Sequence, residues 1–415
     1  MNGATRTSTA CAAIVAGLLA SARPSVAADE PPLPPGLEKA KPAEPSEPAL
    51  PAGLPGSDEP DLPAGLPGGG DEPTLPEGLG DEADGASDSE PLDVQSGLTF
   101  DFDGFVEGRF GLRTQQDAHE KDVSIGEARL HLRTDILADA WSARVAADVL
   151  YDPVVDRHRP DFETGAGALD LREAWVTFSI SDNADIKAGR QILTWGTGDL
   201  IFINDLFPKD WNSFFIGRDE DYLKAPNDAV RLNVYTDLVN LDVAYVPGFD
   251  ADRFIDGRRV SYYNATLGRR AGRDAVVQAD RPGRWFRDDE FHYRLHKTVG
   301  AVELAAYGYH GFWKSPGGQT PTGRAAFPAL NVYGASVRTP LAGGIANAEF
   351  GFYDSADDRG GADPFVNNSE LRFLAGYEHE IAPDVTLAGQ YYVEHMLHHD
   401  AYLASLPAGV PARDV

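Results

Sequence analysis

The sequence predicts an all-β protein, a transmembrane antiparallel β-barrel that follows a disordered tether. Three observations lead to this fold class. Segments from residue 97 onward alternate between apolar and polar side chains, their connections alternate between short and long, and the chain opens with a secretory leader. Alternation with a period of two residues is typical of strands whose two faces meet different surroundings.

The first 27 residues have the features of a signal peptide. Arg6 supplies a positive charge, residues 10–20 are apolar, and the small residues at 25–27 suit cleavage before Ala28. The apolar stretch is shorter than the ~20 residues that a transmembrane helix needs. Cys11 is the only cysteine, so a mature chain would hold none. This excludes disulfides, thiolate metal sites and cysteine nucleophiles from the mature protein.

Residues 28–95 differ in composition from the rest of the chain. They are rich in proline, glycine and acidic residues, and they repeat the motif LPxGL at Leu33, Leu50, Leu62 and Leu75. A segment with high net charge and few bulky apolar residues cannot offset its chain entropy, so we expect a disordered tether. Each motif could dock on a periplasmic partner, or the segment could be a spacer that grew by duplication.

The clearest alternation is GLTFDFDGFVEGRFGLR, at residues 97–113. Phe100, Phe102, Val106 and Phe110 share one face, and charged side chains occupy the other. The pattern is far longer than an ordinary strand of about 5–6 residues. A tilted strand that crosses a bilayer needs about 9–11 residues and some overhang. In a soluble sandwich the same pattern would bury the apolar face and expose the ions.

Thirteen segments of the chain show this pattern. They are residues 97–113, 126–136, 141–151, 172–180, 185–193, 229–235, 239–245, 290–296, 301–312, 329–338, 344–353, 370–379 and 385–394. Tight turns near residues 138–140, 181–184, 236–238, 297–300, 339–343 and 381–384 alternate with long loops at 152–168, 194–226, 247–288, 314–328 and 354–368. Short turns at one end and long loops at the other are typical of outer-membrane barrels.

An odd number of strands does not suit a bacterial single-chain barrel, because these barrels have even strand counts. The residues after 394 also resemble an outer loop more than a closing strand. We therefore expect the barrel domain, residues 96–415, to be C-terminally incomplete and to derive from a barrel of about 14–18 strands. Its first strand should then not pair with residues 385–394.

One hairpin segment resembles a known family. LREAWVTFSISDNADIKAGRQILTWGTGD, at residues 171–199, is similar to a segment of porin-like outer-membrane β-barrels of Gram-negative bacteria. In those barrels an REA strand, a tight turn, a GRQ strand and a WG pair follow one another. FFIGRDEDYLKAPNDAVRL and DADRFIDGRR resemble a branch of that family whose members are mostly of unknown function. The resemblance implies an outer-membrane channel and carries over no substrate site.

These patterns predict a porin-like channel for passive diffusion of small polar solutes, with the tether in the periplasm. Two alternatives stay open: a barrel that sheathes or scaffolds a partner protein, and, less favoured, a barrel-housed envelope enzyme. No nucleophile triad or metal-ligand spacing is readable, so we expect no enzyme activity, cofactor or metal. The expected partners are outer-membrane lipid and small solutes but no nucleic acid; a homo-oligomer and a periplasmic partner of the tether are further candidates.

The alternation also predicts which charged side chains line the pore. They are Asp101, Asp103, Glu107, Arg109, Arg113, Glu127, Arg129, Arg133, Arg144, Asp148, Glu173, Lys187 and Arg190. Inward acids slightly outnumber inward bases, which predicts a weak cation preference at most. Arg190 has the parity of lipid-facing residues, so it reaches the lumen only with a bulge at Gly189. Otherwise it lies near the lipid headgroups.

The loop at residues 194–226 is the predicted constriction. The loop holds many aromatic residues, and exposing their rings to water would forfeit about 25 cal/mol of burial free energy per Å². We expect the loop to fold into the lumen, although a cap over the barrel mouth is the alternative. Its acids would then face a basic ladder and create a transverse field. The acids are Asp199, Asp205, Asp210, Asp219, Glu220 and Asp221, and the ladder is Arg109, Arg129, Arg133 and Arg144.

Overall fold

The structure is a computed structural model that describes residues 97–408, apart from 157, 199, 265 and 266, together with residue 412. It also describes the backbone of a short strand, β1 (Ala13–Val15). The predicted cleavage site and the LPxGL tether lie outside the described residues, and so does Asp199.

The thirteen predicted strands are confirmed, and each is antiparallel to its neighbours. The fold class is therefore all-β, as the alternation predicted. The strands are β2 (Thr99–Leu112), β3 (Val123–Leu137), β4 (Trp141–Tyr151), β5 (Leu169–Ser181), β6 (Ala184–Ile192), β7 (Pro226–Val234), β8 (Asn240–Val246), β12 (Glu290–Val299), β13 (Val302–Phe312), β16 (Ala329–Leu341), β17 (Gly344–Ser355), β18 (Glu370–Ala382) and β19 (Val385–Met396).

The remaining elements are short and lie in the long connections or after the last strand. They are the strands β9 (Tyr262–Asn264), β10 (Arg269–Ala271), β11 (Ala279–Asp280), β14 (Gly318–Gln319) and β15 (Ala325–Ala326), the α-helices α1 (Trp211–Phe215) and α2 (His399–Ser405), and the 3₁₀ turns Glu220–Leu223 and Arg273–Ala275. No helix in the described part of the chain is long and apolar enough to cross a membrane.

β2 and β19 are the two ends of the thirteen-strand order. Among the described strands, β2 pairs only with β3, whereas β19 pairs with β18 and with the short strand β1. β2 and β19 are not paired with each other, in agreement with the expectation from the sequence.

The connections at one end of the sheet are short turns, as predicted. β16 and β17 are joined by two residues, Ala342 and Gly343, whose φ angles are 49° and 84°. Positive φ at both central positions is what a type I′ hairpin requires, and this turn matches the twist of the flanking strands. The turn is shorter than predicted because β16 continues to Leu341.

The burial of side chains decides between the membrane barrel and the soluble sandwich. Val106 and Phe110 are 81% and 73% exposed, whereas Glu127, Arg129 and Asp148 are only 3%, 2% and 1% exposed. A soluble sandwich would show the opposite distribution. An apolar outer face and an ionic interior are the arrangement of a sheet whose outer face meets lipid and whose inner face meets water.

β5 changes face part-way along its length. The register between β4 and β5 shifts where Ala146 pairs with Glu173 and Ala147 pairs with Leu171, so Arg172 is an extra residue. Such a bulge turns successive residues to the same side of the sheet. Asp170 and Arg172 are consequently buried, in addition to the inward-facing Glu173 that the alternation predicted.

Candidate functional site

The long connection between β6 and β7 lies against the inner face of the sheet. We call residues 193–225 the inner loop. Ile203 and Phe207 of this loop are almost completely buried. Ile203 packs with Tyr309, Leu330 and Tyr353 on the inner faces of β13, β16 and β17. Ile203, Leu206 and Phe207 therefore pack onto the inner face of the sheet, whereas Leu200 and Phe215 remain exposed.

One end of the inner loop is fixed by the carboxylate of Glu349 on β17. This buried carboxylate accepts hydrogen bonds from the backbone N–H and hydroxyl of Thr197, the N–H of Gly198 at 2.9 Å, and the N–H and side-chain amide of Asn204 at 3.3 and 2.9 Å. Asn347 on the same strand donates to the Thr197 carbonyl at 2.8 Å. Several uncharged donors thus satisfy the acceptor oxygens of one buried carboxylate and stabilise its charge.

The contact of Asn204 with the wall also depends on a glycine. A Cβ atom at Gly334 would lie 1.8 Å from the Asn204 Oδ1 atom and 2.6 Å from the carbonyl oxygen of Phe350. Only a residue without a side chain lets the amide approach β16 this closely, so Gly334 shapes the seat of the loop.

The other end of the inner loop contacts β2 and β3. The guanidinium of Arg218 pairs with Glu127 on β3, and Arg109 on β2 donates to the carbonyl of Gly217. Arg129 lies 3.8 Å above the centre of the Tyr222 ring. Because the same loop touches β17 at one end and β3 at the other, it crosses the inner side of the sheet.

A buried ion cluster joins the inner loop to the connection between β8 and β12. Arg253 contacts Asp170 at 2.9 Å and Asp210 at 3.1 Å, and all three side chains are buried. Asp210 also accepts from the N–H of Ser213 at 2.8 Å and so caps α1. Asp210 therefore pairs with a neighbouring loop.

For Asp205 and Asp210 the predicted position opposite the basic ladder is wrong, because each pairs with a cation of the loops instead. Asp205 pairs with Lys209 inside the loop at 2.9 Å, and Asp219 caps the 3₁₀ turn by accepting from the N–H of Asp221. Asp219, Glu220 and Asp221 are exposed. The alternation could not show these partners, because each belongs to the local fold of the loop.

The arginines of the basic ladder are paired with carboxylates on the same face of the sheet. Cross-strand and next-but-one neighbours supply the carboxylates, as expected for charges that alternate on paired strands. The ion pairs are Glu107–Arg109 at 2.7 Å, Asp103–Arg133 at 2.8 Å, Glu127–Arg129 at 2.6 Å, Arg129–Asp148 at 3.2 Å, Asp135–Arg144 at 2.6 Å and Arg144–Glu173 at 3.4 Å. The residues predicted to face inward on β2, β3 and β4 thus share one face.

Two predicted pore-lining residues lie elsewhere. Arg113 follows the end of β2 and donates to the carbonyls of Lys121 and Arg259, so it belongs to the outer connections. For Arg190, the proposed bulge at Gly189 is wrong, because the register with β5 and β7 is continuous there. Arg190 is buried near the long-loop end, where it donates to the Leu171 carbonyl at 2.7 Å and pairs with Asp228 at 2.9 Å.

Asp228 also belongs to the one group of acids with metal-like spacing among the described residues. Its carboxylate oxygen and those of Glu163 and Asp250 lie within 4.8 Å of one another. The guanidinium of Arg190 already compensates part of this charge. Nothing in the sequence pattern indicated this group, since its three members come from separate segments.

Several residues that hold the site together were not predicted. They are Glu349, Arg218, Arg253 and Arg172. Glu349 has inward parity, but its partners are more than a hundred residues away in the chain. Arg172 became an inward residue only through the bulge on β5. Sequence spacing carries no signal for either feature.

Comparisons with known proteins give structural neighbours only. No family model matches the chain, and no curated protein sequence matches it. Salmonella typhi OmpF in complex with daunomycin is 9% identical and covers 72% of this chain and 98% of its own, with a TM-score of 0.30. A mutant Rh. blastica porin is 10% identical and the Vibrio cholerae outer-membrane protein OmpT 8%, each covering 72% of this chain and 99% of its own at a TM-score of 0.29.

Proposed function

We propose that this protein is a porin-like channel of the outer membrane, through which small polar solutes diffuse passively. The observation that carries the proposal is the inverted burial: long strands expose apolar side chains on one face and enclose ions on the other. A bilayer stabilises this inversion, whereas water around the whole molecule would not. The charged inner face suits hydrated solutes.

The inner loop is the proposed constriction. It crosses the inner side of the sheet, and it is held at one end by Glu349 and at the other by Glu127. A loop with packed aromatic residues and two anchored ends has little freedom to leave the lumen, so it would limit the size of the solutes that pass. This function needs no catalytic group, and we do not propose an enzyme.

A conductance measurement distinguishes the proposed channel from the alternative, a barrel that sheathes a partner protein. The full chain, reconstituted alone into a planar bilayer, should produce discrete open-channel steps in potassium chloride. A sheath whose lumen is filled by a partner protein has no reason to conduct in regular steps. A correctly folded preparation, checked by its strand content in circular dichroism, that inserts but gives no steps would contradict the channel. The homo-oligomer and the periplasmic partner of the tether stay predictions.

A further inference from the structure

Three cations face one another on the wall between the short-turn end of the sheet and the start of the inner loop. They are Lys187 on β6, Arg231 on β7 and Arg294 on β12, and we call them the basic wall. Lys187 and Arg231 are direct register partners. Arg294 is the register partner of Asp242, on the strand between β7 and β12. The three side chains therefore share the inner face of four adjacent strands.

The acids near the basic wall do not balance it. Asp242 is buried and serves three partners: Arg294, whose Nε atom donates at 3.0 Å, Arg231 at 3.4 Å and His296 at 3.6 Å. The ammonium of Lys187 lies 3.7 Å from the centre of the Trp175 ring instead of beside a carboxylate of the described residues.

Two further acids on β5 and β6, Glu173 and Asp185, have partners of their own. Glu173 pairs with Arg144 at 3.4 Å and accepts from the Trp175 indole at 2.7 Å. Asp185 accepts from the hydroxyl of Ser179 at 2.8 Å. The basic wall consequently has more positive charge than its surroundings neutralise.

An unsatisfied hydrogen-bond donor on Arg231 also indicates that the basic wall lacks an anionic partner. The Nε atom of Arg231 is buried and has no hydrogen-bond partner among the described residues. An unmet buried donor costs about 1–3 kcal/mol, and like charges directly opposite on paired strands are also destabilising. An oxyanion between Lys187 and Arg231 would relieve both penalties, since ammonium and guanidinium groups bind phosphate and carboxylate through charge-assisted hydrogen bonds.

We propose that Lys187, Arg231 and Arg294 form a binding subsite for small oxyanions that carry a phosphate or carboxylate group. The role of this subsite in solute passage rests on the proposed channel function, whereas anion binding itself does not. The sequence predicted at most a weak cation preference from a count over the whole lumen. A local excess of cations can retain an anion that the average charge of the lumen disfavours.

Binding can be measured without any transport. Trp175 lies under the Lys187 ammonium, so an anion that draws this ammonium away should change the fluorescence of the indole. The refolded full chain is titrated in detergent with inorganic phosphate and, separately, with acetate, each against chloride at equal ionic strength. The two titrations distinguish a preference for phosphate from one for carboxylate.

The variants assign the signal to the basic wall. We expect a saturable change that is absent in W175F and that needs about tenfold more anion in the double variant K187Q/R231Q. R338Q is the matched control, because Arg338 is an inward cation that contacts Glu378 on another part of the wall. The proposal is overturned by a titration that W175F leaves unchanged, by equal affinity in K187Q/R231Q and the wild type, or by no specific change with either anion.

Bilayer recordings separate this proposal from the channel proposal. If the wild type conducts, added phosphate or acetate should reduce the open-channel current in the wild type and R338Q, and much less in K187Q/R231Q. Saturable binding in a chain that never conducts would support the subsite and contradict the channel. Conductance steps with no anion binding and no block would support the channel and overturn the subsite.

Discussion

The two ends of the inner loop are held to the sheet by different chemistry. At β17, the single carboxylate of Glu349 collects uncharged donors from Thr197, Gly198 and Asn204. At β3, Arg218 pairs with Glu127, a carboxylate that Arg129 also contacts. Removing the acid at the first end leaves several donors without an acceptor, whereas removing the base at the second leaves an acid that is still paired. Removal of Glu349 should therefore change the stability and the conductance more than removal of Arg218.

The largest effect is expected from E349A. Each buried donor that loses its acceptor costs about 1–3 kcal/mol, so this variant should release the β17 end of the inner loop and lower the thermal stability of the folded chain. Single-channel conductance should rise, with larger fluctuations between levels. E378A is the matched control, because Glu378 is also an inward glutamate but contacts only an exposed arginine in the described structure. Equal behaviour of the two variants would show that the Glu349 contacts do not hold the loop.

A smaller effect is expected from R218A. Glu127 keeps its 2.6 Å contact with Arg129 in this variant, so the loss should be near the lower end of the range of about 1.5–3 kcal/mol for a charged hydrogen bond. The conductance should change less than in E349A, and R338A serves as the control for removal of an inward arginine. A larger change in R218A than in E349A would reverse the comparison between the two ends of the loop.

A third effect, on the pH dependence of stability, concerns an acid in the connection that follows β8. Burial, and then the charge of Glu290, raises the pKa of Asp250 to about 7. A raised carboxyl pKa means that the folded state binds the proton more tightly, so stability is lost as the pH rises from about 4 to about 7. D250N should therefore be more stable than the wild type at pH 8 and nearly equal to it at pH 4.

The thermal midpoints of D250N and the wild type, measured between pH 4 and pH 8, test this expectation. D289N is the control, because Asp289 lies in the same connection and is less buried. Parallel pH profiles for D250N and the wild type would contradict the assigned pKa shift.

The alternation of apolar and polar side chains was sufficient to predict the strands, but it could not predict the contacts of the loops. Period two fixes which face of β2, β3 and β4 a residue occupies, and the structure places Glu107, Arg129 and Asp148 inward as expected. The same rule failed at Arg172, because one inserted residue reversed the parity in part of β5. It also left Arg190 undecided, since parity does not show how near a residue lies to the end of a strand.

The inner loop shows what sequence patterns could not predict about contacts between loops. Its aromatic content correctly predicted that the loop packs against the sheet instead of extending into water. Its charge partners were predicted incorrectly, because Asp205 and Asp210 meet Lys209 and Arg253 through contacts that depend on how two loops fold. Such contacts have no fixed spacing in the sequence.

The central claim is that the inner loop narrows a passive channel. The most direct measurement is the single-channel conductance of a variant that lacks residues 204–222, recorded beside the wild type under identical salt. Circular dichroism should first show that the strand content is retained. The account predicts a conductance severalfold above that of the wild type, since the crossing segment is removed while the strands that flank it remain. An unchanged conductance in a folded variant would contradict the assignment of this loop as the constriction.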